Sequence, residues 1–309
     1  MNAWKIAILV AAVCTGCASP YSARCRSEGV GLSLEEAREV VTSFEKAQAV
    51  KADANPLKDP KSLGDVLEIL RLDQVDLFPA AIRYTAKLDT IEALVLRAQI
   101  ELAWGEAQLV LSDASANLSR QMRDELKEAR TRAAAGVRDE MNQSIIDTLG
   151  PYVEKTTRNS DALMRLAAEH VADGAKLARE VIKRAPTDYH GYRLEADYYR
   201  LRGDWTAFDG MMAKLRELNP ESNGLTFLQG VEAGSRLGDK ARALAYFKKA
   251  LEKDPKFVRA QVQIYNLMSE KKISPVEFEN LKKMNPNHQI VLWIGQFMQE
   301  EELFRVITK

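Results

Sequence analysis

Apolar residues recur every three or four positions along most of the chain after residue 32, which is the spacing of an amphipathic α-helix. The first run opens on Ser33-Leu34-Glu35-Glu36, the pattern of a helix capping box. Prolines at 56 and 60 indicate a loop, and the apolar spacing from Leu63 to Leu70 predicts a second helix. Because no stretch alternates with the period of a strand, the sequence predicts an all-α fold.

The most apolar segment runs from Ile91 to Leu111 and contains Trp104. Four charged residues interrupt it, at positions 92, 97, 101 and 106, which argues against a membrane span. We therefore expect a helix that is buried on most sides at the centre of an N-terminal helical bundle.

A longer amphipathic pattern covers residues 118–149 and predicts one long helix, or two in line, that ends at Gly150-Pro151. Its polar face is densely charged, which is typical of a face that contacts solvent. The spacing drifts from strict heptads, but a coiled-coil partner remains an alternative.

The C-terminal half is periodic. Pro186, Pro220, Pro255 and Pro286 lie 34, 35 and 31 residues apart, and each is expected to follow a helix. Gly203-Asp204 and Gly238-Asp239 precede the second helix of two successive units. Within those helices, Phe208 and Met212 of the first unit are followed in the second by Ala243 and Phe247 at the same positions.

These residues resemble the tetratricopeptide repeat, most specifically over residues 187–256. The resemblance implies a superhelix of helix pairs in the C-terminal half, joined to the N-terminal bundle with its one long helix. It also implies a concave wall, formed by the first helix of each pair, that holds a peptide or a partner helix. The side chains expected on that wall are His190, Arg193, Asp197, Arg200, Leu225, Leu228, Glu232, Arg236, Arg259, Val262 and Asn266.

The N-terminus has Lys5, a short apolar run from Ile6 to Val13, and then Cys14-Thr15-Gly16-Cys17. This resembles a bacterial lipoprotein signal that is cleaved before Cys17, although Cys14 stands where Leu or Val is usual. The resemblance implies an acylated Cys17 that anchors the protein to a membrane. Ala18 implies delivery to the periplasmic face of the outer membrane in a source with two membranes. The alternatives are an ordinary secretory signal or a redox pair of Cys14 and Cys17.

The expected organisation is a signal peptide at 1–16, a tether at 17–31, an N-terminal helical domain at 32–160, repeats at 161–286, and a helical cap at 287–309. Cleavage leaves 293 of 309 residues with 43 basic and 44 acidic side chains, so charge does not favour a nucleic-acid partner. If Cys17 is acylated, Cys25 has no cysteine left to pair with in the chain.

Candidate chemistry is sparse. His170, His190 and His288 lie in no metal-binding motif, and the sequence has no nucleophile elbow, phosphate loop or dinucleotide fingerprint. We therefore expect no metal, no cofactor and no enzyme activity.

The leading hypothesis is a lipid-anchored periplasmic scaffold that binds a protein partner in envelope assembly or export. The alternative is an accessory lipoprotein of a transport system that binds a small molecule, with the segment around Trp104 lining its cavity. A third hypothesis, a cell-wall enzyme, would be favoured by a buried carboxylate in the N-terminal half.

Overall fold

A computed structural model of the chain describes residues 33–38, 56–136, 140–268, 273–292, 294–295 and 298. All regular elements within these ranges are helical, which confirms the all-α prediction for that part of the chain. The signal peptide, the whole tether with Cys17 and Cys25, and most of the predicted cap lie outside the described residues.

The N-terminal part consists of short helices. A helical segment at 34–38 begins with the predicted capping box: the Glu36 backbone N–H donates to Ser33 Oγ at 3.2 Å, and the Ser33 N–H donates to Glu36 Oε2 at 2.8 Å. Helix α1 (Leu63–Arg71) confirms the second predicted helix. Helix α2 (Phe78–Thr85) follows a 3-10 turn at Val75–Leu77, and a second 3-10 turn lies at Pro56–Lys58.

Two long helices dominate the fold. Helix α3 (Ile91–Ala134, 44 residues) and helix α4 (Glu140–Arg184, 45 residues) pack against each other along the chain's longest hairpin. α3 includes the apolar segment at 91–111, whose residues Ile100 and Leu109 are buried. The predicted helix at 118–149 is therefore divided: its first part completes α3 and its last part begins α4.

The prediction that Gly150-Pro151 ends a helix is wrong, because α4 continues through Pro151 to Arg184. Proline lacks the N–H that would bond to the Asp147 carbonyl, and its ring crowds that carbonyl. Pro151 is exposed, so water can reach the freed carbonyl. The expected domain boundary at residue 160 also falls inside this helix.

α3 and α4 approach closely at two glycines. A Cβ on Gly105 would lie 2.6 Å from Val171 Cγ2 and 3.1 Å from the Ala167 carbonyl oxygen, and one on Gly174 would lie 2.7 Å from Leu102 Cγ. Leu102 and Val171 belong to a cluster that also contains Leu194 of the next helix. The hairpin is thus in direct contact with the C-terminal half.

The C-terminal half consists of successive helix pairs: α5 (Tyr189–Arg202) with α6 (Trp205–Leu218), α7 (Asn223–Val231) with α8 (Lys240–Lys253), and α9 (Val258–Met268) with α10 (Pro275–Met284). First helices begin 34 and 35 residues apart, and second helices begin 35 residues apart. A π-helical turn, Glu232–Arg236, extends α7. Each of the four prolines follows a helix, as predicted.

The end of the described chain returns to the N-terminal part. The backbone N–H of Gln289 donates to the Leu72 carbonyl at 2.9 Å, just after α1. The N-terminal part is thus joined to the C-terminal half. One connection is the contact of α3 with α5, and another is the hydrogen bond between residues 289 and 72.

Candidate functional site

A cavity of about 410 Å³ lies between α1 and α3 on one side and α5, α7 and α9 on the other. We call it the central cavity. Most of its wall is apolar, and the remainder is a compact group of charged side chains. Representative apolar residues of the wall are Leu67, Leu70, Leu102, Val110, Leu228 and Phe257.

The charged part of the wall is a chain of alternating ion pairs across both halves of the protein. Arg200 of α5 donates to Asp197 Oδ1 at 3.2 Å and to Glu106 Oε1 of α3 at 3.0 Å. Arg259 of α9 donates to Glu106 Oε2 at 3.3 Å and to both carboxylate oxygens of Asp73, at 2.8 and 3.3 Å. Glu106 therefore joins the first and third helix pairs to α3.

Glu106 is held as an anion. Burial alone would raise the pKa of its carboxyl, but the charges of Arg200 and Arg259 outweigh burial and hold that pKa below its ordinary value. The pKa of each arginine is raised in turn, that of Arg259 chiefly by Asp73 and that of Arg200 by Glu106 and Asp197 against the opposing effect of burial. A carboxylate held in this way suits ion pairing and is poorly placed to donate or accept a proton near neutral pH.

Asp73 lies where the chain leaves α1, in the left-handed region with φ 51°. Aspartate and asparagine adopt that conformation more readily than most residues with a Cβ. The turn directs a buried carboxylate toward Arg259, and His288 Nε2 lies 3.8 Å from its Oδ2.

His288 is neutral at physiological pH. Burial is the main cause that lowers its pKa to about 4, and the positive charges of Arg259 and Arg71 act in the same direction against Asp73. Its Nδ1 accepts the backbone N–H of Ile290 at 3.3 Å, which places the ring proton on Nε2, toward Asp73.

Arg193 has the weakest ion pair among the arginines of the wall. Its Nη1 lies 3.7 Å from Asp197 Oδ2, beyond hydrogen-bond length, and no closer carboxylate is found among the described residues. Its aliphatic stem crosses Gly224, where a Cβ would lie 2.7 Å from Arg193 Cδ. Gln263 lines the same cavity, and its buried Oε1 accepts no hydrogen bond from the residues that the structure describes.

Of the residues expected on a concave wall, the structure brings seven to the central cavity or to the core directly beneath it: Arg193, Asp197, Arg200, Leu225, Leu228, Arg259 and Val262. These side chains face the protein's own helices α1 and α3. The wall is therefore covered across much of its surface by the N-terminal half.

The other expected residues lie elsewhere. His190 Nδ1 lies 2.6 Å from Asp188, the residue that caps α5. Arg236 donates to Asp209 of α6 at 2.6 Å and to Glu232 at 3.2 Å. Neither His190, Glu232 nor Arg236 lines the central cavity. The side chain of Asn266 lies outside the described part of the structure.

Sequence reasoning missed the partners from the N-terminal half and the chain's end, namely Asp73, Glu106 and His288. The sequence could have indicated a paired Glu106, because a charged residue within the most apolar predicted helix needs a buried partner. No local sequence pattern indicates a role for Asp73 or His288, since their roles depend on contacts with residues far away in sequence.

A buried carboxylate does occur in the N-terminal half. Glu101 has a side chain that is 7% exposed, and its Oε2 lies 2.7 Å from Nδ1 of His170, whose ring stacks on Trp104 with 4.0 Å between centroids. These three residues are absent from the lining of the central cavity. Glu101 and His170 therefore bond to each other within the helical core, away from the central cavity.

Within the described ranges, no group of three or more His, Cys, Asp or Glu side chains is arranged to hold a metal ion. Over the same ranges, no helix combines the length and the apolar character that a membrane crossing requires.

No model of a known protein family matches the sequence, and no curated protein matches it.

Proposed function

We propose that the protein is a periplasmic lipoprotein, anchored through acylated Cys17, whose tetratricopeptide-like repeats and N-terminal helices together bind a small, largely apolar molecule in the central cavity. On this proposal it is an accessory protein of a transport system and not an enzyme. The observation that carries the proposal is a cavity of about 410 Å³ at the position where a partner groove was expected.

The cavity's size favours a small ligand over a protein partner. The wall on which a partner helix was expected faces α1 and α3 of the same chain, which leaves less room in the central cavity. Its volume lies within the range of small-molecule pockets, about 300–1,000 Å³.

The chemistry of the wall favours binding over catalysis. The cavity's best-placed carboxylate, Glu106, is engaged by two arginines that keep it ionised. Binding sites typically combine a mainly apolar wall with a few polar groups that orient the ligand, which describes this wall.

The repeats and the anchor support the proposal in different ways. Helix pairs recurring at 34 to 35 residues are typical of tetratricopeptide repeats. A tether of about fourteen residues after Cys17 would keep the cavity near the membrane surface and raise its effective concentration for partners there.

A cavity-filling variant tests the binding site. We expect the mature chain carrying Cys17→Ala, which removes the lipid, to bind the neutral fluorescent probe N-phenyl-1-naphthylamine saturably. Ala107→Trp places a large ring in the wall and should abolish that signal. The matched control is Ala213→Trp on the exposed face of α6, which should bind as before. Unchanged binding in Ala107→Trp would place the probe elsewhere and refute the central cavity as the site.

The anchor is tested separately. Cys17→Ala should move the protein from the membrane fraction to the soluble periplasmic fraction, because acylation supplies roughly 0.8 kcal/mol per buried methylene. Fractionation followed by immunodetection measures this. Membrane retention of the variant would contradict acylation at Cys17, without bearing on the cavity.

A further inference from the structure

The wall of the central cavity is chemically divided, and the division bears on what it binds. One part is apolar, contributed by leucines, valines and phenylalanines of α1, α3, α7 and α9. The other part is the ion-pair chain, in which three arginines and three carboxylates alternate, from Arg193 to Asp73. A ligand that fills the cavity therefore meets both surfaces at once.

Resting on the proposed function, we propose that the ligand is a medium-chain aliphatic carboxylate whose carboxylate group binds Arg193 and whose alkyl chain lies against the apolar wall. Arg193 has the fewest protein partners among the partly buried cations of the wall, since Lys256, which forms no ion pair within the described residues, is exposed.

Arg193 differs from the other two arginines of the ion-pair chain. Arg200 and Arg259 each donate to two carboxylates at 2.8 to 3.3 Å. Arg193 has one carboxylate at 3.7 Å among the described residues, Asp197, whose other oxygen, Oδ1, accepts from Arg200. Its side chain is only 17% exposed, yet none of its guanidinium nitrogens is both fully buried and unpaired. The free N–H groups therefore face accessible space at the cavity wall.

The charge balance favours a single negative charge on the ligand. The wall carries five basic side chains, including Arg71 and Lys256, and four acidic ones, including Asp254, so a ligand with one negative charge balances it. A phosphate would bring nearly two charges to within a few ångströms of Asp197, and like charges at that distance repel.

The apolar wall favours an alkyl chain over a peptide. Each backbone N–H and C=O of a buried peptide needs a hydrogen-bond partner. Outside the ion-pair chain, the polar side chains of the wall are Arg71, Gln99, Asp254, Lys256, Gln263 and His288, and the rest of the wall is apolar apart from Gly224. The volume of about 410 Å³ lies within the range of small-molecule pockets, about 300–1,000 Å³, which suits a carboxylate with an alkyl chain of medium length.

The test compares decanoate with decanol, which has the same chain and no charge, as displacers of N-phenyl-1-naphthylamine from the mature Cys17→Ala chain at neutral pH. We expect decanoate to displace the probe at about tenfold lower concentration, because its carboxylate gains charge-assisted hydrogen bonds. With both displacements measured against the probe affinity of the same variant, Arg193→Gln should remove this preference. Arg216→Gln, on the exposed face of α6, is the matched control and should keep it.

A second variant acts on Arg193 without deleting it. Gly224→Ala places a Cβ 2.7 Å from Arg193 Cδ, so the flexible side chain must shift while the helix backbone is retained. The decanoate preference should fall at least severalfold, with thermal unfolding close to that of the parent. This variant also decides the outcome if Arg193→Gln fails to fold.

The outcomes separate this inference from the proposed function. Equal displacement by decanoate and decanol, or a preference that survives both variants, overturns the carboxylate assignment and leaves the cavity as a binding site. Stronger displacement by a short apolar peptide with a free C-terminus than by decanoate also overturns it. If the probe does not bind at all, the proposed function fails as well.

Discussion

Asp73 illustrates how one residue can join the two halves of the protein. Its carboxylate accepts two hydrogen bonds from Arg259, although 186 residues separate them in sequence. Asp73→Asn keeps the side-chain shape and tolerates φ 51° but removes the charge. We expect the free energy of unfolding to fall by about 1–3 kcal/mol, because Arg259 loses a charge-assisted partner. Urea denaturation followed by circular dichroism measures the change.

The matched control is Asp89→Asn. Asp89 also pairs with an arginine, Arg184, at 2.7 Å, but its side chain is 91% exposed. An exposed ion pair contributes about 0–1 kcal/mol, so this variant should change stability little. Equal losses in the two variants would show that burial of the Asp73 pair contributes nothing.

His288 makes stability depend on pH in the acidic range. Its pKa is about 4 in the folded protein, mainly because of burial, and about 6.5 when unfolded. Above pH 6.5 both states are neutral and the stabilisation is complete. As the pH falls from 6.5 toward 4 the unfolded state binds the proton first, so up to roughly 3 kcal/mol is lost.

His288→Asn tests this linkage, because an asparagine oxygen can accept the Ile290 N–H in place of Nδ1. The difference in unfolding free energy between pH 7 and pH 4.5 should be smaller in the variant than in the parent. NMR titration of the His288 ring checks the pKa directly. An identical pH dependence in the two proteins would contradict a buried neutral His288.

At the scale of helices, alanine substitutions at two glycines should have opposite effects on stability, because only one of the two lies where α3 and α4 approach closely. Gly105→Ala should destabilise the protein by about 1–2 kcal/mol, because its Cβ meets backbone atoms of α4 that cannot move freely. Gly210→Ala, in the exposed interior of α6 with no atom within 4 Å, should stabilise it by about 0.5–1 kcal/mol. Thermal unfolding of both variants provides the measurement. Stabilisation by both would show that the α3–α4 contact is loose.

Helices were predictable from the sequence where local chemistry defines them. The capping box at Ser33, the spacing in α1 and the prolines after the repeat helices each act within a few residues. The end of α3 and the passage of α4 through Pro151 were not, because they depend on the hairpin contact and on exposure of the proline ring. A local breaker can be outweighed by packing along 45 residues.

At the scale of the whole molecule, the concave-wall prediction concerns three arginines that the structure places in a different surrounding. Arg193, Arg200 and Arg259 were expected on one wall, and the structure places all three at the central cavity. What the sequence could not reveal is that the chain's own α3 covers this wall, since that depends on tertiary contacts between the halves. The expected wall thereby lines a cavity that it shares with the N-terminal half.

The contacts of α3 with both halves of the protein predict that the two halves unfold together. It contributes Leu96 and Ile100 to the core of α1 and α2, and Leu102 and Leu109 to a core shared with α5. Its Glu106 pairs with arginines of the first and third helix pairs. Unfolding either half would expose apolar surface and leave buried charges unpaired in the other, so partial unfolding is costly.

Two single-tryptophan proteins can test this coupling, one retaining Trp104 in α3 and the other retaining Trp205 in α6, with the remaining tryptophans replaced by phenylalanine. Their urea transitions should have the same midpoint, which is the behaviour of one cooperative unit. Adding Asp73→Asn should lower both midpoints equally. If the Trp205 transition came first, the repeats would open independently of α3. The C-terminal helix pairs would then separate from α1 and α3 at the central cavity, and a ligand could enter there without unfolding of the hairpin.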